Sequence, residues 1–178
     1  MTFKEFIKED MAKCEFLNSR KSCLRVRLLH EHEYIIWKYQ ILLRKEEYYA
    51  IKGHRIFSTF YRNRKNILGQ RLGFTIHKNV FGSGLRIWHY GNIVVNANAR
   101  VGKNCILHGS NCIGNNGLFN GNPTIGDNVE FGVGACAIGD INIGNNVIIG
   151  AGAVVNKSFP EGNCVLAGVP AKIIKKLQ

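Results

Sequence analysis

The sequence predicts a mostly β chain, built as a parallel coil of short strands and preceded by an α-helical region. Three observations predict it. From Val95 to Val155 every sixth residue is apolar. Glycine, asparagine and small residues recur at fixed places between those positions. Residues 1–71 carry a different pattern, with apolar side chains at helical spacing among many charges.

The six-residue series is Val95, Val101, Leu107, Ile113, Phe119, Ile125, Phe131, Ala137, Ile143, Ile149 and Val155. Glycine follows at 102, 114, 126, 132, 144 and 150. Three positions after each apolar residue come Asn98, Asn104, Ser110, Asn116, Asn122, Asn128, Gly134, Asp140, Asn146 and Gly152. Most of these are residue types that accept a left-handed backbone at low cost. One position further the residue is often small or β-branched, as at Ala99, Cys105, Val129, Ala135 and Ala153. Each unit therefore reads as a short strand and a corner. Three units make one coil, and stacked coils hydrogen-bond to each other as a parallel β-solenoid. Residues 115–124, "NNGLFNGNPT", keep the six-residue phase, so the pattern is compatible with both a continued coil and an extruded loop.

The division places a helical region at residues 1–71 and the coil at 72–178, with a short C-terminal tail. In "TFKEFIKEDMAKCEFL", Phe3, Phe6, Ile7, Met11 and Cys14 fall near one helical face. Residues 22–51 space Leu24, Leu28, Ile35, Tyr39 and Leu42 similarly. Two amphipathic helices that cover the first coil meet the need of a solenoid end, whose outermost strands are otherwise unpaired. "GHRIFSTFYRNRKN" mixes basic and aromatic residues, a weak nucleic-acid signal by itself.

The composition, 46% hydrophobic and 20% charged, fits a folded protein. No run reaches the ~18 apolar residues of a membrane span. The opening "MTFKEFIKED" lacks the apolar core of a secretory signal, which points to the cytoplasm. None of the six cysteines forms a CxxC pair or has histidines at zinc-site spacing, so no metal is expected and the thiols read as small reduced side chains. The net charge is +12; residues 1–71 hold 16 Lys and Arg against 8 Asp and Glu. A basic surface attracts polyanions, among them nucleic acid, acidic polysaccharide, anionic lipid and phosphorylated cofactors.

The repeats in "IGDNVEFGVGACAIGDINIGNNVIIGAGAVV" resemble the hexapeptide-repeat acyltransferases. The resemblance covers about residues 76–174 and implies a left-handed parallel β-helix, an exception to the usual right-handed crossover. "GSGLRIWHYGNIVVNANARVGKNCILHGSNCIG" and "AVVNKSFPEGNCVLAGVPAKII" resemble the serine O-acetyltransferase branch, and His89 falls on that branch's histidine. Serine enzymes carry an aspartate just before this histidine and another some fifteen positions upstream; here Trp88 and Thr75 stand there. They carry a second histidine before a loop proline; here Asn122 precedes Pro123. The helical region is about half the branch's usual length. In these departures the chain is more similar to the O-acetyltransferases of bacterial capsule, O-antigen and exopolysaccharide synthesis.

Acetyl transfer to an alcohol needs a base for the attacking hydroxyl, and a histidine titrates in the right range. The resemblance gives His89 that role, with no covalent enzyme intermediate. Trp88, His108 and Asn122 are the candidate substrate contacts: His108 by its place after a repeat position, Asn122 in place of the branch's second histidine. The resemblance lays the arm of acetyl-CoA along Gly132, Val133, Gly134, Gly150 and Ala151, with Lys157 and Lys172 near the phosphates. It also implies a homotrimer with active sites between subunits. The expected function is acetyl-CoA-dependent O-acetylation of a sugar hydroxyl in a bacterial surface polysaccharide or its precursor. The basic N-terminal half suits an acidic glycan or peripheral contact with an anionic membrane surface, and no nucleic-acid partner is expected. The alternatives are serine O-acetyltransferase of cysteine synthesis and a non-catalytic solenoid that binds.

Overall fold

The computed structural model describes residues 2–118 and 121–177. Helices come first: α1 (Phe3–Phe6), α2 (Lys8–Ala12), α3 (Arg20–Leu28), α4 (His32–Ile51) and α5 (Arg55–Leu72), with a 3-10 turn at Glu15–Asn18. Short strands follow: β1 (Phe74–Thr75), β2 (Arg86–Ile87), β3 (Ile93–Val95), β4 (Arg100–Val101), β5 (Ile106–Leu107), β6 (Cys112–Gly114) and β7 (Thr124–Ile125). Then come β8 (Glu130–Phe131), β9 (Cys136–Ile138), β10 (Asn142–Ile143), β11 (Val147–Ile149), β12 (Val154–Val155), β13 (Cys164–Ala167) and β14 (Lys172–Lys176).

Three sheets form, in the orders β1-β3-β6-β9-β12, β4-β7-β10 and β2-β5-β8-β11-β13-β14. We call them the first, second and third sides. From β2 to β12 the chain visits the third, first and second sides in strict rotation. Pairing is parallel except for β14, which runs antiparallel to β13. Along the first side partners lie 18 or 19 residues apart, as Phe74 with Ile93, Val94 with Cys112 and Cys136 with Val154, except at one longer step. Once per side the step is 24, as Cys112 with Cys136, Arg100 with Thr124 and Ile106 with Glu130. The connection from β6 to β7 is therefore one unit longer in sequence than an ordinary corner such as 139–141. The six-residue phase survives because the insert is itself six residues long, which is why the pattern could not separate loop from coil. Phe119 lies outside the described residues; its described neighbour Leu118 is exposed.

The other ten members of the apolar series are buried. They join α4 in one continuous core, where Ile36, Tyr39 and Leu43 pack with Phe74, Ile76 and Leu85. The Tyr39 and Phe74 rings meet edge-on at 5.1 Å. Corner chemistry is more selective than predicted. Asn104, Asn128, Asn146 and Asn163 have φ between 46° and 57° and stack as a ladder, each Nδ2 donating to the next Oδ1 at 2.9–3.0 Å. Asn98 and Asp140, between the first and second sides, are not among the positive-φ residues; Asn98 N–H instead donates to Asn96 Oδ1.

The helical expectations need two corrections. The first segment is broken, not one helix: α1 ends at Phe6, α2 ends at Ala12, and Asp10 is the residue of α2 that is buried, against the coil. Its carboxylate accepts from the backbone N–H of Gly84 and Leu85. The second segment splits at His30, whose φ is 51°. Leu24 and Leu28 are 57% and 66% exposed, and Val26 is the α3 residue that buries itself, against Cys14 and Phe16.

The first coil has no coil before it, so its edge groups need other partners. The helices supply them as side chains. Gln40 Nε2 donates to the Leu85 carbonyl, Lys65 Nζ to that of Ile76, and Arg44 to those of Phe81 and Gly82. Glu47 accepts from the Asn79 N–H. Arg44 is itself held by Asp10 at 2.6 Å and Glu47 at 2.8 Å, all three buried. Burial alone would lower the Arg44 pKa, but the two carboxylates outweigh it and keep the guanidinium charged. This network fixes the start of the coil, and β2 with it.

Candidate functional site

The corner between the third and first sides recurs in every coil. It holds residues 88–92 in the first coil, 108–111 in the second, 132–135 in the third and 150–153 in the fourth. His89, Trp88, His108, Gly132, Val133, Gly134, Gly150 and Ala151 all fall on this one edge. The backbone ties the levels together: Trp88 N–H donates to the Leu107 carbonyl, His108 to Phe131, Gly132 to Ile149, and Gly134 to Gly109. Stacking is tight enough that a Cβ on Gly132 would lie 2.7 Å from Ala151 N. Buried Asn111 accepts from the Gly109 N–H and donates to the carbonyls of Gly132 and Ala135, which joins two levels of the edge.

His89 is exposed and follows β2. Its ring stacks on that of His32, in the first turn of α4, at 5.6 Å and 25°. Tyr90 flanks the same His32 ring at 6.4 Å. Gly109, with φ 121°, leaves its corner open beneath the His89 backbone; a Cβ there would touch His89 Cβ and O at 3.5 Å. Among the described residues no carboxylate pairs with His89.

The carboxylate is on the neighbouring histidine. His108 Nε2 lies 2.8 Å from Glu130 Oε1, across adjacent strands of the third side. The Trp88 ring lies parallel to that of His108, 14° between planes and 6.0 Å between centroids. The Arg86 guanidinium sits 4.4 Å from the Trp88 ring centre. Arg86, Trp88, His108 and Glu130 thus form a continuous polar and aromatic strip beside His89.

Lys172 is exposed and opens β14, next to the buried Ala171 whose N–H donates to the Val154 carbonyl. Two expected site residues fall elsewhere. Lys157 occupies the corner between the first and second sides, with Nζ 5.6 Å from the Phe159 ring centre. Asn122 belongs to that same corner of an earlier coil, where a Cβ on its neighbour Gly121 would collide with Asp140. The rotation of the coil puts the first side between these two residues and His89, a separation that adjacency in sequence does not reveal. Glu130, Arg86, His32 and Asn111 went unpredicted. Glu130 had a weak signal, an outward position just before Phe131, but the 24-residue step that brings it to His108 was not readable.

Burial pushes the thiols of Cys105, Cys112 and Cys164 above the ordinary range and that of Cys14 up to about 11. These are protonated at neutral pH and poor nucleophiles. Among the described residues no group of three His, Cys, Asp or Glu is placed to hold a metal ion.

No protein-family model matches the chain, and no curated protein matches it in sequence. Solved structures do. A serine acetyltransferase from Brucella abortus strain S19 is 30% identical over 78% of this chain and 56% of its own, with a TM-score of 0.64. The chain is similar to serine acetyltransferases. The Brucella abortus enzyme in complex with coenzyme A is 26% identical over 99% of this chain and 69% of its own, TM-score 0.71. The Neisseria gonorrhoeae serine acetyltransferase in complex with serine is 26% identical over 96% and 68%, TM-score 0.66. The chain spans little more than half the length of the first of these. They share its parallel sheets and its N-terminal helical region.

Proposed function

We propose that this chain is an acetyl-CoA-dependent O-acetyltransferase with His89 as general base. The observation that carries this is the single edge that holds His89 and, on the next three levels, His108 and the glycine corners 132–134 and 150–151. Similarity to an enzyme solved with coenzyme A supports acetyl-CoA as donor. The imidazole takes the proton of the acceptor hydroxyl as it attacks the thioester and returns it to the departing thiolate. The proton and acyl group balance without a protein nucleophile, in keeping with the protonated thiols. The reading carries with it a left-handed coil, a helical region at 1–71, a cytoplasmic setting and a homotrimer whose neighbouring copy completes the donor site. The exposed Val133 and Val169 on this edge suit such a contact.

Serine is the acceptor that the comparisons favour, through the enzyme solved with serine. A second reading, a sugar hydroxyl, rests on the Trp88–His108 stack, an aromatic pair joined to a histidine–carboxylate contact. Thiol release from acetyl-CoA, measured with serine and with a panel of neutral and acidic sugars, separates them. Turnover with serine alone rejects the sugar reading. No release with any acceptor rejects the enzyme.

A further inference from the structure

The helical region presents a second concave surface, a groove of about 910 Å³ between α5 and the segment from β1 to Lys78. Arg62, Asn63, Asn66 and Gln70 line one wall, at the three- and four-residue spacing that puts them on one face of α5. That face carries a guanidinium and three carboxamides where a packed helix would be apolar. His77 and Lys78 line the opposite wall. Among the described residues neither Arg62 nor Lys78 pairs with a carboxylate. The acid that faces the groove, Glu46, is held by Lys65 at 2.8 Å with both side chains buried. The groove therefore keeps two uncompensated positive charges. Phe60, half-exposed, supplies an apolar wall.

We propose that this groove binds an acidic saccharide. The carboxylate lies between Arg62 and Lys78, the hydroxyls meet the carboxamides of Asn63, Asn66 and Gln70, and a C–H face of the ring rests on Phe60. Guanidinium and ammonium suit a carboxylate, and the volume is that of a small-molecule site. RNA is disfavoured, because the other aromatics of the stretch are used in packing: Phe57 and Tyr61 stack on Tyr49 at 5.2 and 5.3 Å. Phe60 itself meets Tyr61 edge-on at 5.2 Å, and a single half-exposed ring is too few for a run of stacked bases. The site is separate from the His89 edge and does not depend on the acetyl-transfer reading.

The test is fluorescence anisotropy of the full chain with a labelled oligogalacturonate. Parallel arms use a neutral oligosaccharide of equal length, inorganic phosphate, a short RNA and phosphatidylserine vesicles. Saturable binding to the oligogalacturonate is expected, roughly tenfold weaker in Arg62→Ala/Lys78→Ala and also weaker in the charge-neutral Asn63→Ala/Asn66→Ala. The control Arg20→Ala/Lys21→Ala, which removes the same charge from α3, should bind as the parent does. Absence of saturable binding overturns the proposal, as does an equal loss in the control. So does equal or tighter binding of phosphate, RNA or vesicles. Acetyl transfer, assayed alongside, should be unaltered in all three variants, so failure here and failure of the enzymatic reading are separately visible.

Discussion

His108 Nε2 and Glu130 Oε1 meet at hydrogen-bond distance, 2.8 Å, between coils, while His89, the proposed base, stacks on His32 and has no carboxylate partner among the described residues. The carboxylate that orients a histidine on this edge thus comes from the third coil and meets the histidine of the second, not that of the first. It holds the His108 ring parallel to Trp88 and directs it along the strip where an acceptor would lie. Glu130→Gln keeps the shape but weakens the pair. Hydrogen bonds to charged groups contribute about 1.5–3 kcal/mol, so kcat/KM for the acceptor should fall at least tenfold while KM for acetyl-CoA holds. A change in both KM values, or in neither, would count against an acceptor-positioning role.

His89→Ala should lower kcat by about a hundredfold or more, the usual contribution of a general base. Its side chain is exposed, so the urea midpoint should barely move. Turnover within threefold of the parent would remove His89 from the base role.

Arg44→Ala strands the carboxylates of Asp10 and Glu47 in the interior and deprives the Phe81 and Gly82 carbonyls of their donor. Loss of one partner from a buried pair costs about 3–5 kcal/mol. Urea denaturation should show a loss of that size; less than about 1 kcal/mol would mean that the network is not what anchors the helices to the coil.

Alkaline pH should destabilise the fold through its buried thiols. The Cys14 and Cys105 pKa values are raised by burial from an ordinary 9.0, Cys14 to about 11. The unfolded chain therefore releases these protons first. Stability is full below pH 9 and falls as pH rises above it, by up to roughly 1.4 kcal/mol per pH unit for each thiol. Urea midpoints between about pH 8 and 10.5 should decline, and less steeply in Cys14→Ala/Cys105→Ala. Equal slopes in parent and variant would refute the thiol origin.

The 24-residue step predicts that six residues are dispensable for folding. Deletion of residues 115–120 leaves 121–123 as a three-residue corner, the length found at 139–141, and restores the 18-residue register. The melting temperature should stay within about 5 °C of the parent's. Failure to fold would show that the longer connection is needed for the fold.

The coil was legible because it is a local code. A six-residue apolar period reports a side that repeats every strand, and ten buried members of the series follow directly from it. The amphipathic helices were legible in kind but not in extent. Asp10 and Val26 answer to contacts with Gly84 and Phe16, which periodicity within the segment does not encode.

What the sequence determined by itself is the repeating strand and corner, and hence the three-sided stack, since each unit needs only its own apolar residue and turn. The proposal of His89 as base comes from resemblance alone. What only the tertiary structure decided is which distant residues share an edge. His32 reaches His89 from a helix, and Glu130 reaches His108 across a 24-residue step. Lys157 and Asn122 fall on another corner. The physical reason is rotation: a three-sided coil sends neighbours in sequence to different faces and brings together residues 17 to 24 apart.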